Sequence, residues 1–338
     1  MIIYNGKNSK TDFDLYIASR EQPPAQRKVI TETVPYMSGL WDFSYHDGNI
    51  DEYEAVKLKY TFDVIADSKQ ELKALRGDLI AWIHSKGENK LIDTDISETA
   101  YYNVYHAQAS WSEEGLQGLL TVEFTCYPFM LTEKKTEFLK LTTEAQSVTI
   151  NNEGSRVITP TIRVVSINLF DISKVNSSTN IKNNGDGTLT VKGTGASAAS
   201  PNTLKDYAPN IKVGETYTLS ADTTSTKKYI YLKGEAKAAW FFGAKRTITE
   251  NDLNAPIGWY ADNDTASATI SNIQIEFGEA ATEYTPYVEP AATISDGVNS
   301  YTISGGEHKC PFTLKAGENT LNISGTGLLS VAYTEEEL

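Results

Sequence analysis

The sequence has few of the residues that catalysis, metal binding and cross-linking usually require. Among 338 residues there are two cysteines and four histidines, and no histidine is paired with another at helical spacing. Two cysteines cannot build a disulfide framework, and dispersed histidines give no zinc-type ligand spacing. A disulfide-stapled fold and a histidine-based metal centre are therefore both excluded, and no metal site is predicted.

Common catalytic motifs are missing as well. The sequence contains no Gly-x-Ser-x-Gly elbow and neither of the glycine-rich nucleotide loops, which removes the usual hydrolase and nucleotide-binding classes. The carboxylate pair Asp93 and Asp95 lies at a strand end, where solvated charge is expected rather than glycoside hydrolysis. Residues 262–264 (DND) offer oxygens for a structural calcium, although the rest of an EF-hand loop is absent. We predict no catalytic residue, no cofactor and no metal site, and a structural calcium in the insertion is the one alternative left open.

Positive charge is also scarce. The chain has 44 acidic and 30 basic side chains and a net charge of -14, which argues against nucleic-acid binding because phosphate contacts need clustered Lys and Arg. An acidic surface suits either simple solubility or the wall of a conduit through which DNA slides without sticking. No apolar run reaches the length of a membrane span, and the N-terminus lacks the features of a signal peptide. We expect that the protein does not insert into a membrane. We also expect that it is synthesised in the cytoplasm.

The first 138 residues contain regular patterns of apolar and polar side chains. Residues 56–64 (VKLKYTFDV) alternate between apolar and polar side chains, which predicts a half-buried antiparallel strand. A helix follows, with Ser68 and Glu71 as a capping box and Gly87 in position to end it. Further elements are predicted as strands at residues 90–93, 100–106 and 119–127, and as a hairpin turn at Asp47-Gly48. The pattern predicts a small α+β sandwich over residues 1–138.

Short strands on both sides of a long segment predict a second, divided sandwich. Strands at residues 147–154 and 161–165 are too few to make a core. Partners are predicted near the other end of the chain, at residues 300–303, 312–314, 319–323 and 329–333. We therefore predict one jelly-roll-like sandwich formed by residues 139–166 and 291–338, because a surface loop tolerates an inserted domain whose ends lie close together.

The interrupting segment, residues 167–290, has a composition of its own, rich in Asn, Thr, Ser, Gly and Ala. Its strand candidates are residues 189–191, 217–221, 228–232 and 273–277. These features predict an inserted β-sandwich. The fold class is thus mostly β with one main helix.

Aromatic residues of this segment are the candidate binding residues. An exposed Trp or Tyr ring offers a flat apolar platform to the C–H side of a sugar, although alternation along a strand turns about half of such residues into the core. The densest clusters are Trp240-Phe241-Phe242 and Trp259-Tyr260. The sugar-contacting candidates are Trp240 and Trp259, followed by Tyr260, Tyr229 and Tyr231.

Several motifs resemble the siphophage distal tail proteins, the hub family of phage baseplates. Residues 3–17 (IYNGKNSKTDFDLYI) are similar to the first hairpin of that family. Residues 122–129 (VEFTCYPF) follow in the family's order, and residues 312–325 (FTLKAGENTLNISG) are similar to its last hairpin. The resemblance covers residues 1–166 and 291–338. It implies a structural protein that forms a homohexameric ring at the tail tip of the virion.

The resemblance also implies partners. Residues 168–171 and 273–287 look like the borders of carbohydrate-binding-module sandwiches found in phage tail proteins, which implies adhesion to host cell-wall polysaccharide. A hub would contact the tail tube protein, the tape measure protein and tail-tip or receptor-binding proteins. Two alternatives remain open: a cell-surface carbohydrate-binding adhesin outside phages, and a tail-associated glycosidase.

Overall fold

The fold consists of three hydrophobic cores built almost entirely from antiparallel strands. The computed structural model describes residues 1–29, 31–33, 35–36, 38–39, 41–42, 52–193, 196–197, 202–233 and 238–337. The cores belong to an N-terminal domain, a β-sandwich termed the host sandwich, and an insertion domain. One helix is long, so the predicted fold class is confirmed. None of the helices in the described ranges has the length and apolar character needed to cross a membrane.

The N-terminal domain contains the long helix and the first ten strands. These elements are β1 (Ile2–Tyr4), β2 (Lys7–Asn8), β3 (Tyr16–Glu21), β4 (Thr31–Glu32), β5 (Trp41–Asp42), β6 (Val56–Ile65), α1 (Lys69–Ile83), β7 (Lys90–Asp93), β8 (Tyr102–Glu114), β9 (Gln117–Cys126) and β10 (Met130–Leu131). Seven of the strands form one sheet in the order β2-β1-β7-β8-β9-β6-β3.

Strand alternation creates the core of this domain as predicted. Every second residue of β6 is buried, and so are the residues of β9 that share this face. The buried set is Val56, Leu58, Tyr60, Phe62 and Val64 in β6, and Leu120, Val122, Phe124 and Cys126 in β9. Helix α1 covers this face, since its buried residues belong to the same core.

Helix α1 has half of the predicted capping box and ends earlier than predicted. The Glu71 carboxylate accepts a hydrogen bond from the Asp67 amide at 2.8 Å and not from the Ser68 amide. The hydroxyl of Ser68 accepts a hydrogen bond from the Glu71 amide at 3.2 Å, which is the expected N-cap contact. The helix stops at Ile83, four residues before Gly87, so the prediction that Gly87 caps it is wrong. Gly87 instead packs against Asn5, where an added Cβ would lie 2.5 Å from the Asn5 Cγ atom.

Residues with positive φ angles form the turns of two hairpins in the N-terminal domain. Asn5 and Gly6 have φ angles of 50° and 76°, which a tight hairpin between β1 and β2 requires. Gly115 has a φ of 63° in the two-residue turn between β8 and β9. The turn predicted at Asp47-Gly48 lies outside the described residues.

The remaining elements divide between the host sandwich and the insertion. The first host strands are β11 (Lys135–Lys140), β12 (Gln146–Asn152) and β13 (Thr161–Val165). The insertion contains a 3-10 turn (Ile172–Lys174), β14 (Ile181–Asn183), β15 (Leu189–Lys192), β16 (Ala196–Ser197), α2 (Leu204–Tyr207), β17 (Thr216–Thr223), β18 (Tyr229–Leu232), β19 (Ala238–Phe241), β20 (Ala244–Thr247), α3 (Glu250–Leu253), β21 (Ile257–Trp259) and β22 (Ser267–Phe277). The last host strands are β23 (Ala291–Ser295), β24 (Ser300–Ser304), β25 (Gly306–Lys309), β26 (Gly317–Thr326), β27 (Leu328–Tyr333) and β28 (Glu336–Glu337).

Strands from both sides of the insertion make the host sandwich. Its sheets have the orders β11-β27-β13-β25 and β12-β26-β23-β24. Strand β11 pairs with β27 from Lys135 onward, because Lys135 lies opposite Tyr333. The host sandwich therefore begins before residue 139, and the boundary predicted at residue 138 is corrected.

Two further sheets enclose the core of the insertion, in the orders β14-β15-β22-β17-β20 and β16-β21-β18-β19. Its entry and exit are tied together. The Ser166 hydroxyl accepts a hydrogen bond from the Val288 amide at 3.2 Å. The buried Asn168 side chain donates to the Ile273 carbonyl at 2.9 Å and accepts from the Phe170 amide at 2.9 Å. The border residues that resemble a carbohydrate-binding module thus fasten the ends of the insertion.

An ion pair and an aromatic contact fix the insertion on the host sandwich. Arg163 of β13 donates two hydrogen bonds to the Glu215 carboxylate, at 2.9 and 2.8 Å. The rings of Phe138 and Phe277 lie 5.3 Å apart between centroids. Both bonds come from Nη1, and Nη2 donates to the Asn210 carbonyl, so this charge-assisted contact holds the insertion against β13.

The C-terminus joins the host sandwich to the N-terminal domain. Strand β28 pairs with β10. The Glu336 carboxylate accepts from the Tyr127 hydroxyl at 2.6 Å and from Arg156 at 3.2 Å. The buried Glu335 pairs with Lys135 at 2.9 Å.

The burial of both thiols predicts slow chemical labelling. Cys126 and Cys310 lie in different cores and are both free. Burial raises the pKa of Cys126 to about 12 and the pKa of Cys310 to about 11. At pH 8 the thiolate fraction of Cys126 is on the order of 10⁻⁴, so labelling by a disulfide reagent should follow global unfolding. Rapid labelling of Cys126 in the native protein would contradict its position in the strand.

Candidate functional site

The two leading sugar-contact candidates lie in the core of the insertion. Trp240 is 1 % exposed and Trp259 is 0 % exposed. The Trp240 indole N–H donates to the Ala244 carbonyl at 2.8 Å, and the Trp259 ring packs edge-on against Phe170 at 6.0 Å. The prediction that these rings stack on a sugar is therefore corrected, because both point to the inner face of their sheet.

The alternation that buries the tryptophans exposes their neighbours. Phe241 follows Trp240 in β19 and is 55 % exposed. The other outward rings, two in β18 and one directly after β21, are partly exposed. We term these four residues the aromatic face: Tyr229, Tyr231, Phe241 and Tyr260. Phe241 is the one member that is missing from the sequence-based candidates, although its position next to a core residue on a strand was a usable signal.

Three of these rings form a row across neighbouring strands. Tyr229 lies opposite Phe241 in the register of β18 and β19, with ring centroids 5.4 Å apart. On its other side Tyr229 lies 5.4 Å from Tyr260. Because adjacent strands lie about 4.8 Å apart, the row spans roughly 10 Å. A row of this length matches a short stretch of a glycan chain.

Small residues flank the fourth ring. Tyr231 lies opposite Gly258 in β21 and opposite Ala239 in β19. An added Cβ at Gly258 would lie 3.4 Å from the Tyr231 Cβ and 3.0 Å from the Lys233 Cε atom. The Lys233 side chain therefore lies over Gly258 on one side of Tyr231, and Ala239 is the residue opposite Tyr231 on the other side.

The Tyr260 hydroxyl of the aromatic face stays protonated at neutral pH. Burial raises the pKa of Tyr260, and the nearby Tyr229 and Tyr231 raise it further. Neutral phenols both donate and accept hydrogen bonds. The face therefore combines apolar rings with polar groups that suit sugar hydroxyls.

The carboxylate pair of the N-terminal domain has a structural role. Asp93 is buried, which corrects the expectation of solvated charge. Its oxygens accept hydrogen bonds from Arg20 at 3.1 Å, from Tyr60 at 3.0 Å and from Gln22 at 3.0 Å. Burial and the adjacent Asp93 carboxylate raise the pKa of Tyr60. Hydrogen bonds from Arg20 and the N-terminal amine lower the pKa of Asp95.

The Asp262 carboxylate of the calcium candidate is hydrogen-bonded by another loop of the insertion. The same oxygen of Asp262 accepts hydrogen bonds from the Ser225 hydroxyl at 2.8 Å and from the amide and hydroxyl of Thr226 at 2.6 and 2.7 Å. These contacts lower the pKa of Asp262. Within the described residues, no cluster of three or more His, Cys, Asp or Glu side chains is placed to bind a metal. The calcium site stays a prediction.

Two strand edges of the N-terminal sheet have no partner strand among the residues that the structure describes: the outer edge of β3 and the part of β8 that extends beyond β7. Strand β3 is its last strand on one side. Strand β7 pairs with only two residues of β8, Tyr102 and Asn103. In the described part of the chain, the rest of β8 up to Glu114 pairs with β9 alone. Such edges present unpaired backbone groups to other chains.

The identity of the N-terminal domain follows from a family comparison. Residues 13–126 match the family described as phage tail protein RIFT-related domain. The predicted relation to phage tail proteins is confirmed over these residues. No curated protein matches the sequence.

Two solved structures are similar over most of their length. One is the SPP1 Dit (gp 19.1) protein, described as a paradigm of the hub adsorption apparatus in phages that infect Gram-positive bacteria. It is 15 % identical, with a TM-score of 0.43, and the similarity covers 100 % of this chain and 98 % of that chain. The other is the phage P2 baseplate in its activated conformation with Ca, which is 9 % identical with a TM-score of 0.27, over 95 % and 91 % of the two chains.

Substitutions of two adjacent residues of β19 are predicted to change the free energy of unfolding by very different amounts. Trp240→Ala removes a buried ring and should lower the free energy of unfolding by about 3–5 kcal/mol. Phe241→Ala removes an outward ring and should change it by less than about 1 kcal/mol. Urea unfolding of both variants, followed by tyrosine and tryptophan fluorescence, tests the prediction. Equal destabilisation by the two changes would contradict the inward and outward assignment.

Proposed function

We propose that this protein is the distal tail hub of a siphophage or prophage. It is a structural protein of the virion, folded in the host cytoplasm, that forms a hexameric ring at the tail tip. The observation that carries the proposal is the phage tail domain at residues 13–126, whose sheet has two free edges. The hub connects the tail tube and tape measure proteins to tail-tip or receptor-binding proteins, and it has no enzymatic role.

The free edges support ring closure. They lie on opposite sides of the four strands β3-β6-β9-β8. If β8 of one copy pairs with β3 of the next, the contact is head-to-tail, and a suitable rotation closes it into a ring. Closure covers both of these edges, which also limits uncontrolled association.

The outer face of the same four strands suits a water-filled channel. Lys57 pairs with Glu123 at 2.9 Å, and Lys59 pairs with Glu21 at 2.9 Å. These ion pairs neutralise the basic side chains of that face. A channel wall whose described lysines, Lys57 and Lys59, are both paired with carboxylates, in a protein with a net charge of -14, does not retain a passing genome.

We further propose that the insertion binds host cell-wall polysaccharide through the aromatic face. Exposed rings with neighbouring hydroxyl groups supply the apolar contact and the hydrogen bonds that a sugar requires. A single shallow site binds weakly, but several copies in one ring gain roughly 100-fold or more in avidity on a repetitive glycan.

Blocking an edge strand should prevent ring formation. The two-residue turn at Gly115 makes Glu114 and Gln117 a hydrogen-bonded pair, so by alternation the Ala109 amide points away from β9. Ala109→Pro therefore removes an amide that only a neighbouring copy would use. Light scattering and electron microscopy should show rings for the natural protein and for Ala109→Val, and monomers for Ala109→Pro. Rings of unchanged stability with Ala109→Pro, or only monomers of the natural protein at all concentrations, would exclude this interface.

Removing rings from the aromatic face should abolish adhesion. Tyr229→Ala and Phe241→Ala should each reduce binding to a panel of purified cell-wall polysaccharides at least about 10-fold, because stacking area is lost while the core is unchanged. Val298→Ala, at a host-sandwich turn where the side chain is 88 % exposed, is the matched control. If the natural ring binds none of the polysaccharides, the insertion has a different role.

A further inference from the structure

The segment that holds β18, β19 and β20 is basic, although the protein as a whole is acidic. Residues 227–246 (KKYIYLKGEAKAAWFFGAKR) contain six basic residues and one acidic residue, in a chain with a net charge of -14. Positive charge is therefore concentrated in the same segment that supplies three of the four rings of the aromatic face. Concentrated charge of one sign attracts ligands of the opposite sign.

The two bases of β20 are neutralised by carboxylates. Lys245 pairs with Glu279 at 2.9 Å. Arg246 pairs with Asp252 at 2.6 Å. Strand β20 also belongs to the other sheet of the insertion, so neither base bears on the aromatic face. The charges that do are those of three lysines beside β18, which we term the lysine group: Lys227, Lys228 and Lys233.

A glycine fixes the position of Lys233 on the aromatic face. Side chains alternate along β18, so the exposed Lys233 continues the outward positions of Tyr229 and Tyr231. The Lys233 Cε atom lies 3.0 Å from the place where a Cβ on Gly258 would stand. The lysine stem therefore lies over Gly258, beside Tyr231. Glycine within a strand often marks a close approach of this kind.

The other two lysines lie at the opposite end of β18. Lys228 directly precedes Tyr229 and is exposed. Lys227 is partly balanced by Asp262, a carboxyl whose pKa is lowered first by the hydrogen bonds described above and then by the charge of this lysine. Five residues of strand separate Lys228 from Lys233, which places their Cα atoms roughly 17 Å apart. Positive charge thus stands at both ends of the aromatic face.

We propose that the glycan bound by the aromatic face is anionic, with phosphodiester or uronate groups spaced along its chain. The inference rests on the carbohydrate site proposed above and adds the chemical class of its ligand. The rings contact the C–H faces of the sugars, and the lysine group neutralises acidic groups on either side of them. An ammonium group is a compact charge with three donors, so it binds an anion at an open surface.

The lysine group also addresses a problem of approach. A protein with a net charge of -14 is repelled by an acidic cell wall. A local basic patch that surrounds the contact rings orients the insertion toward that wall, because complementary charge steers the encounter between two partners.

Removal of charge tests the inference. Lys228→Gln combined with Lys233→Gln should weaken binding of the full-length protein to acidic cell-wall polysaccharides at least about 10-fold and leave thermal unfolding unchanged. Lys182→Gln with Lys192→Gln is the matched control: it removes the same charge from exposed positions in the other sheet and should leave binding unchanged. Raising NaCl from about 50 to about 500 mM should weaken binding of the natural protein at least about 5-fold, because salt screens exposed charges.

The choice of polysaccharides distinguishes the two sources of charge. One purified wall polysaccharide has phosphodiester-linked repeats, a second contains glucuronate, and a third is neutral. The second is also tested after carbodiimide and borohydride reduction, which converts each carboxyl group into a neutral hydroxymethyl group. We expect binding to at least one acidic polymer and none to the neutral one, and reduction should abolish binding if the ligand is the uronate polymer.

The outcomes separate this inference from the carbohydrate site on which it rests. Binding to the neutral polysaccharide that is lost with Phe241→Ala but unaffected by the lysine changes would overturn the inference and leave the carbohydrate site intact. Equal affinity for single-stranded DNA would show attraction to any polyanion and would also overturn it. If the natural protein bound none of the polysaccharides, both the inference and the carbohydrate site would be wrong.

Discussion

Strand pairing across the insertion is the constraint on which the other parts of this protein depend. Val148 lies opposite Leu321, and Ile162 lies opposite Val331, so residues from both ends of the chain share two ladders. The entropic cost of closing a loop grows only slowly with its length, and a long insertion therefore adds little to the cost of these pairs. Both attachments of the host sandwich use the resulting strands: Arg163 of β13 holds the insertion, and β28 holds the N-terminal domain.

Alternation of side chains along a strand separates core from surface residues both in the N-terminal domain and in the insertion. In β6 and β9 it gives an apolar face under α1 and an outer face of paired charges. In β18 and β19 it gives a core face with Trp240 and an outer face with Tyr229 and Phe241. Sheets of this kind need only one face for stability. The other face is available for a channel wall or a ligand.

Patterns that depend on near neighbours were predictable, and contacts distant in sequence were not. Alternation over residues 56–64 placed β6 correctly, and the Ser68 cap needs only the next turn of helix. Trp240 and Phe241 are both aromatic, so composition does not show which one faces the core. In the structure Trp240 lies opposite Ile230 of β18, and both side chains are buried. Burial of Asp93 depends on Arg20, which is remote in sequence. The aromatic face was therefore predicted in part, through its three tyrosines but not Phe241.

The hydrogen bond between Ser166 and Val288 brings the entry and exit of the insertion within 3.2 Å. A domain whose two ends meet in this way behaves as a cassette: another domain with equally close ends fits the same junction without altering the register of the host strands. Recombination at this point would exchange the insertion while the N-terminal domain and the host sandwich stay constant. The insertion and the rest of the chain can thus evolve independently within a single gene.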